Sequence, residues 1–168
     1  MLRAGLAVAL SGHLIATLGL FTLPVQQLGR IVPGAVGYVE IRGLALTGNK
    51  DHLFASAFAA FWWGYGLLAV VTVLVALLIA AVLGAPPRPI GIALAAVALV
   101  PIPLQVLALA QTRDYRGVYV GFGLHRPPFS NSMLAGTAFG VWIGLAGLAI
   151  LAVGGVLIAL TPRGHRLA

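Results

Sequence analysis

The chain has 168 residues, of which 61% are hydrophobic and 8% are charged, and its formal net charge is +7. Soluble domains carry about a quarter of their residues as charged side chains, so this composition excludes an ordinary soluble domain. The sequence has no cysteine, which excludes disulfides, thiolate metal sites and the four-helix disulfide oxidoreductases. The basic residues lie singly between apolar stretches, so we expect them to meet lipid headgroups and not nucleic acid.

Four apolar stretches are long enough to cross a bilayer, which takes roughly 20 residues of helix. We therefore expect one integral membrane domain over residues 1–168, an all-α bundle of four transmembrane helices. The first stretch is expected to be a retained helix, because no small-residue cleavage site follows it. The predicted helices cover about 4–23, 54–83, 90–111 and 133–160.

Two long connections, 25–53 and 112–132, separate the first two and the last two helices. Both emerge on the same side of the membrane, because two crossings lie between them. The segments "GYVEIRGLAL" (37–46) and "GVYVGFGL" (117–124) alternate in a way that is typical of strands. We expect them to pair into a small extracytoplasmic β-sheet over the helix ends.

The distribution of charge predicts the orientation in the membrane. Arginines in short segments near helix ends favour the cytoplasmic side. All three acidic residues, Glu40, Asp51 and Asp114, lie in the long connections and partly neutralise their arginines. The residue bias suggests a GC-rich bacterial genome, so we expect a multi-pass protein of the bacterial inner membrane with both termini cytoplasmic. The short-segment arginines are Arg3, Arg88, Arg163 and Arg166.

Glycines recur at helical spacing in the first and last helices. Glycine is costly in a helix, but in a membrane it lets two backbones approach closely, which drives helix association. The pattern allows two interpretations: the first and fourth helices pack together inside the bundle, or they form a docking groove for another subunit or a second copy. The candidate residues are Gly136, Gly140, Gly144 and Gly147 in the fourth helix, with Gly5, Gly12 and Gly19 in the first.

The third helix carries Pro101 and Pro103 near its middle. Proline removes a backbone donor and displaces the carbonyl one turn earlier, so we expect a kink there. Gln105 is the candidate donor for the freed carbonyls. The kink is interpreted either as a static bend or as a hinge or cavity.

His13 is the only ionisable side chain well inside a predicted span. Such residues are functional candidates by default, which makes His13 the one weak candidate for cofactor binding. We expect no cofactor and no metal, because no second histidine lies at similar depth. Ser11 or Thr17 is expected to satisfy the imidazole locally.

The segment "FWWGYG" (61–66) begins close to the start of the second helix. Aromatic side chains with a polar edge favour the membrane–water boundary, so Trp62, Trp63 and Tyr65 are predicted to be interfacial. The alternative is an aromatic wall against a lipid or a quinone.

The sequence contains none of the common catalytic motifs. The leading hypothesis is therefore a non-catalytic membrane subunit that packs onto, stabilises or positions a larger complex. A small transporter, channel or lipid-handling component is the first alternative. The second is a membrane enzyme with a site in the long connections, where the only residues able to converge are Glu40, Asp51, His52, Asp114 and His125.

Overall fold

The computed structural model describes residues 1–28, 35–46, 56–111 and 134–161. It contains four helices that are long and apolar enough to cross a membrane, which confirms the four predicted spans. Their observed ends differ from the predicted ones by up to six residues. The spans are TM1 (Leu2–Thr22), TM2 (Ala57–Val82), TM3 (Pro87–Ala110) and TM4 (Phe139–Ala159).

Three of the spans change their backbone hydrogen bonding along their length. TM1 ends in a π-helical turn, Leu18–Thr22. TM2 has a second π-turn, Trp62–Gly66, between Ala57–Phe61 and Leu67–Val82. TM3 is interrupted at Val100, which divides it into two α-helices. Its two halves are Pro87–Leu99 and Pro101–Ala110.

The four spans form a ring in which each helix contacts two others. TM4 packs most extensively on TM1 and then on TM3, while TM2 closes the ring against TM3 and TM1. The tight turn between TM2 and TM3 has Gly84 at a φ of 88°, a backbone conformation that favours glycine. We call the side of this turn and of Leu2 the turn side. The opposite side, from which the segments after TM1 and TM3 emerge, is the loop side.

TM1 and TM4 run antiparallel with their backbones in direct contact. A Cβ atom on Gly12 would lie 2.8 Å from the carbonyl oxygen of Gly147, and one on Gly19 would lie 2.7 Å from that of Gly140. TM3 meets TM4 in the same way, because a Cβ on Gly155 would lie 2.8 Å from the carbonyl oxygen of Gly91. These positions have room for a hydrogen atom and nothing larger.

The predicted sheet is wrong. All of the first predicted strand except Gly37 forms a helix, Tyr38–Leu46, which we call the loop helix, and the second predicted strand (117–124) lies outside the described residues. The apolar pattern of this short segment fits a helix as well as a strand, because Tyr38, Ile41 and Ala45 share one helical face and are buried on it. An antiparallel sheet forms elsewhere in the order β2-β1-β3. Its strands are β1 (Gln26–Leu28), β2 (Ala35–Val36) and β3 (Leu134–Thr137).

TM4 begins later than predicted, so Gly136 lies in β3 and not in the helix. The residue before the helix, Ala138, has extended backbone angles (φ −74°, ψ 160°). Its amide donates to the carbonyl oxygen of Val25, and the Gly140 amide donates to that of Pro24, both at 3.1 Å. The loop-side end of TM1 thus supplies acceptors to the first turn of TM4, whose amides have no partner within the helix.

We expect Gly147→Ala to lower the thermal midpoint of the purified protein. The added methyl group would lie 2.7 Å from the Cα of Ala16, so the two helices must separate, and overpacking of this kind costs about 1–3 kcal/mol. Gly43→Ala in the loop helix is the matched control, since a Cβ there meets nothing within 4 Å. Equal midpoints for both variants would contradict the close contact between TM1 and TM4.

Candidate functional site

TM3 changes its packing partner at its midpoint. Its turn-side half, Pro87–Leu99, packs on TM4, whereas its loop-side half, Pro101–Ala110, packs on the first turns of TM2 and makes at most marginal contact with TM4. The interruption at Val100 therefore separates two different environments. On the loop side, TM2 and TM3 lie together, as do TM1 and TM4.

Pro101 and Pro103 account for the interruption in TM3. Their missing N–H groups remove the intrahelical donors to the carbonyls of Val97 and Leu99. Val100 keeps helical backbone angles (φ −58°, ψ −41°), so the hydrogen-bond ladder is interrupted without unwinding of the chain. The structure shows no bond from Gln105 to these carbonyls among the described residues.

Gln105 instead joins TM3 to TM2. Its Oε1 accepts a hydrogen bond of 2.7 Å from Nε1 of Trp62, and the Gln105 side chain is completely buried. Trp62 and Trp63 are 4% and 0% exposed, so both rings lie inside the bundle, whereas Tyr65, the third residue predicted to be interfacial, is 58% exposed. The π-turn and the separation of the loop-side helix ends give these two large rings space inside the bundle.

A second polar contact joins the loop-side ends of TM2 and TM3. The Ser56 hydroxyl donates to Oε1 of Gln111, and Ser56 Oγ also accepts from the amide of Ala59 at 3.2 Å. Ser56 is therefore the N-cap of TM2 as well as its link to TM3. With the Trp62–Gln105 bond, two side-chain contacts hold these helix ends together.

The loop helix lies across the loop-side ends of TM1 and TM2 and contacts both π-turns. The Tyr38 ring packs edge-on against Phe21 at a centroid distance of 4.5 Å and lies 6.4 Å from Trp63. Arg42 Nε donates to the carbonyl oxygen of Gly64 at 3.1 Å. Burial raises the pKa of Tyr38, and the positive charge of Arg42 partly opposes this.

Four aromatic side chains near the loop-side ends of TM2 and TM4 are exposed. Phe61 and Tyr65 on TM2 are 59% and 58% exposed, and Phe139 and Trp142 on TM4 are 54% and 59% exposed. All four lie within the first turns of their spans on the loop side, where aromatic rings favour the membrane–water boundary.

Four buried side-chain polar atoms have no hydrogen-bond partner among the described residues: His13 Nδ1, Thr17 Oγ1, Tyr38 OH and Gln105 Nε2. Thr17 therefore does not satisfy His13 as expected, and Ser11 is exposed. Thr17 and Gln105 each lie five residues from the loop-side end of their span, at a depth of about 7 Å. His13 lies one helical turn deeper.

The groups proposed for an enzyme site are mostly outside the described residues. Of the five candidates, only Glu40 is described, and it lines a groove of about 280 Å³ between the loop helix and the end of TM1. Within the described ranges, no group of three or more histidine, cysteine or acidic side chains is placed to hold a metal ion.

A double-mutant cycle measures the free energy of the hydrogen bond between Trp62 of TM2 and Gln105 of TM3. Trp62→Phe removes the donor, and Gln105→Leu removes the acceptor together with the unpartnered Nε2 atom. We expect a coupling of about 0.6–1.7 kcal/mol, the range for side-chain hydrogen bonds in membrane helices. The measurement is reversible unfolding in detergent, with Phe61→Leu as a control on the lipid-facing side. Additive effects of the two changes would contradict the bond.

Comparison with known proteins assigns no family to the chain. No family model matches it, and no curated protein or solved structure matches it.

Proposed function

We propose that the protein is a non-catalytic membrane subunit that packs onto a larger bacterial membrane complex and stabilises or positions it. The observation that supports this proposal most is the outward face of TM2. This face is apolar, extends along the longest span and carries small residues at helical spacing.

TM2 is the least buried of the four spans. It has 26 residues and a mean hydropathy of 2.7 over its most apolar window, of which 28% is buried, against 56% for TM4. Thr72 and Ala76 are exposed on it, and half-buried Ala80 follows at the same four-residue spacing. The Thr72 hydroxyl donates to the carbonyl of Leu68 at 2.9 Å, so it needs no other partner. Small residues at this spacing let a second helix approach closely.

The glycine faces contribute to the proposed function indirectly. Gly12 and Gly19 of TM1 lie against Gly147 and Gly140 of TM4, so these positions are filled by the protein's own helices. Internal packing of this kind gives a defined shape to the surface that TM2 presents. We therefore infer a partner helix, from another protein or from a second copy, at TM2 and not at the glycines.

A small transporter, channel or lipid-handling component is the second candidate function. The separation of the loop-side helix ends favours it, because TM3 leaves TM4 at Val100 and follows TM2. A helix interrupted by proline in mid-membrane can let one half move against the other. The buried, unpartnered Gln105 amide lies in the half that would move.

The orientation is part of the same proposal. Arg3 and Arg88 lie at the turn-side ends of TM1 and TM3, while Glu40 lies on the loop side. Positive residues close to span ends favour the cytoplasmic side of a bacterial inner membrane. We infer that the turn side, with both termini, is cytoplasmic and that the loop helix is extracytoplasmic.

The proposed partner face is tested with a photo-reactive amino acid placed at Ala76 in living cells. We expect one discrete protein adduct, whose mass distinguishes a second copy from a different protein. Ile92 on TM3, which is 57% exposed, is the control position and should give only lipid adducts. Ala76→Leu should abolish co-purification of the adduct partner without lowering the thermal midpoint, because the residue is exposed. Equal labelling from Ala76 and Ile92 would reject the TM2 interface.

The orientation is tested with single cysteines, since the chain has none of its own. An impermeant thiol reagent applied to intact cells should label a cysteine at Asn49 and leave one at Gly164 unlabelled until the membrane is opened. The opposite labelling pattern would reverse the orientation.

A further inference from the structure

Two polar side chains of TM1 share a face that is separate from its contact with TM4. His13 and Thr17 are one turn apart and lie roughly 100–140° around the helix from the glycine face. Leu6 and Leu20, which are 9% and 1% exposed, lie on the same side as these two residues. The face with His13 and Thr17 is thus directed toward the interior of the bundle and not toward lipid.

The interior on this side widens toward the loop side. TM1 packs on the turn-side part of TM2, Leu67–Val82, whereas the π-turns of the two spans make at most marginal contact with each other. The loop helix contacts both π-turns and places Tyr38 between Phe21 and Trp63. Thr17 and Gln105 lie at similar depth, five residues from the loop-side ends of TM1 and TM3, and His13 lies one turn deeper.

Unpaired polar atoms at this depth are costly, because neither lipid nor apolar side chains can hydrogen-bond to them. An amide such as Nε2 of Gln105 donates only, a hydroxyl such as that of Thr17 donates and accepts, and a neutral imidazole can do either at Nδ1. The one small species that can serve all three is a neutral molecule that both donates and accepts. Water meets this requirement and commonly fills such sites in proteins.

We propose that TM1, TM2 and TM3 enclose a polar site that holds water, formed by His13, Thr17 and Gln105 and reached from the loop side beneath Tyr38. Trp62 positions the site, since its bond to Oε1 of Gln105 leaves the amide nitrogen as a free donor. The site accepts small neutral molecules with water's hydrogen-bonding capacity. It does not depend on the proposed partner at TM2, which lies on the opposite, lipid-facing side of that helix.

The experiment measures where water reaches inside the spans. Thr17→Cys and Leu18→Cys place thiols at nearly the same depth, but Leu18 is 54% exposed and faces lipid. Methanethiosulfonate ethylammonium reacts with the thiolate, and thiols in apolar surroundings ionise poorly. We expect Thr17→Cys to be modified at least about tenfold faster than Leu18→Cys in the folded protein in liposomes.

Equal rates, or faster modification of Leu18→Cys, would overturn the proposal, because they would show that the interior is dry. If Thr17→Cys does not fold, His13→Cys against Leu14→Cys, which is 62% exposed, decides the question by the same criterion. Trp62→Phe should preserve the difference between the paired positions but change its size, since the Gln105 side chain is then free to turn.

Discussion

The backbone contact between TM1 and TM4 is the constraint on which the other packing depends. Helices in lipid gain little from burying apolar surface, so they associate where small residues allow close approach. Gly12 against Gly147 and Gly19 against Gly140 provide this contact over most of the span. TM3 then joins TM4 on a neighbouring face through Gly91 and Gly155. TM4 is consequently the most buried span, and TM2 is the least buried.

Close contact between TM1 and TM4 leaves the loop-side ends of TM2 and TM3 to accommodate the bulky residues. No side chain larger than hydrogen fits between TM1 and TM4 at the glycines, so Trp62 and Trp63 require space elsewhere. The prolines of TM3 provide it, because the loop-side half of that helix leaves TM4 and follows TM2. The loop helix then covers the widened end, with Arg42 bonded to the carbonyl of Gly64. TM4 is held to TM1 and TM3 by backbone contact, whereas the loop-side ends of TM2 and TM3 are held together by side chains.

Length and hydropathy were sufficient to predict the four spans, and glycine spacing was sufficient to nominate TM1 and TM4 as a packed pair or a docking groove. Neither could predict structural features that depend on contacts between residues distant in sequence. TM2 is apolar on all sides, so its sequence does not show that Trp62 and Trp63 face inward while Phe61 and Tyr65 face lipid. The start of TM4 was missed because hydropathy does not register the extended backbone at Ala138, which depends on acceptors from the end of TM1.

The placement of the polar residues follows from this division of the bundle. In the glycine-packed region, a histidine or glutamine side chain would force the backbones apart, and no water could reach it. A polar side chain on a face that TM4 does not contact avoids this conflict. His13 lies near the middle of TM1 on the face that TM4 does not use, and Gln105 lies just beyond the prolines that release TM3 from TM4. The glycines therefore determine more than which helices pair: they leave the polar side chains to the faces that TM4 does not contact.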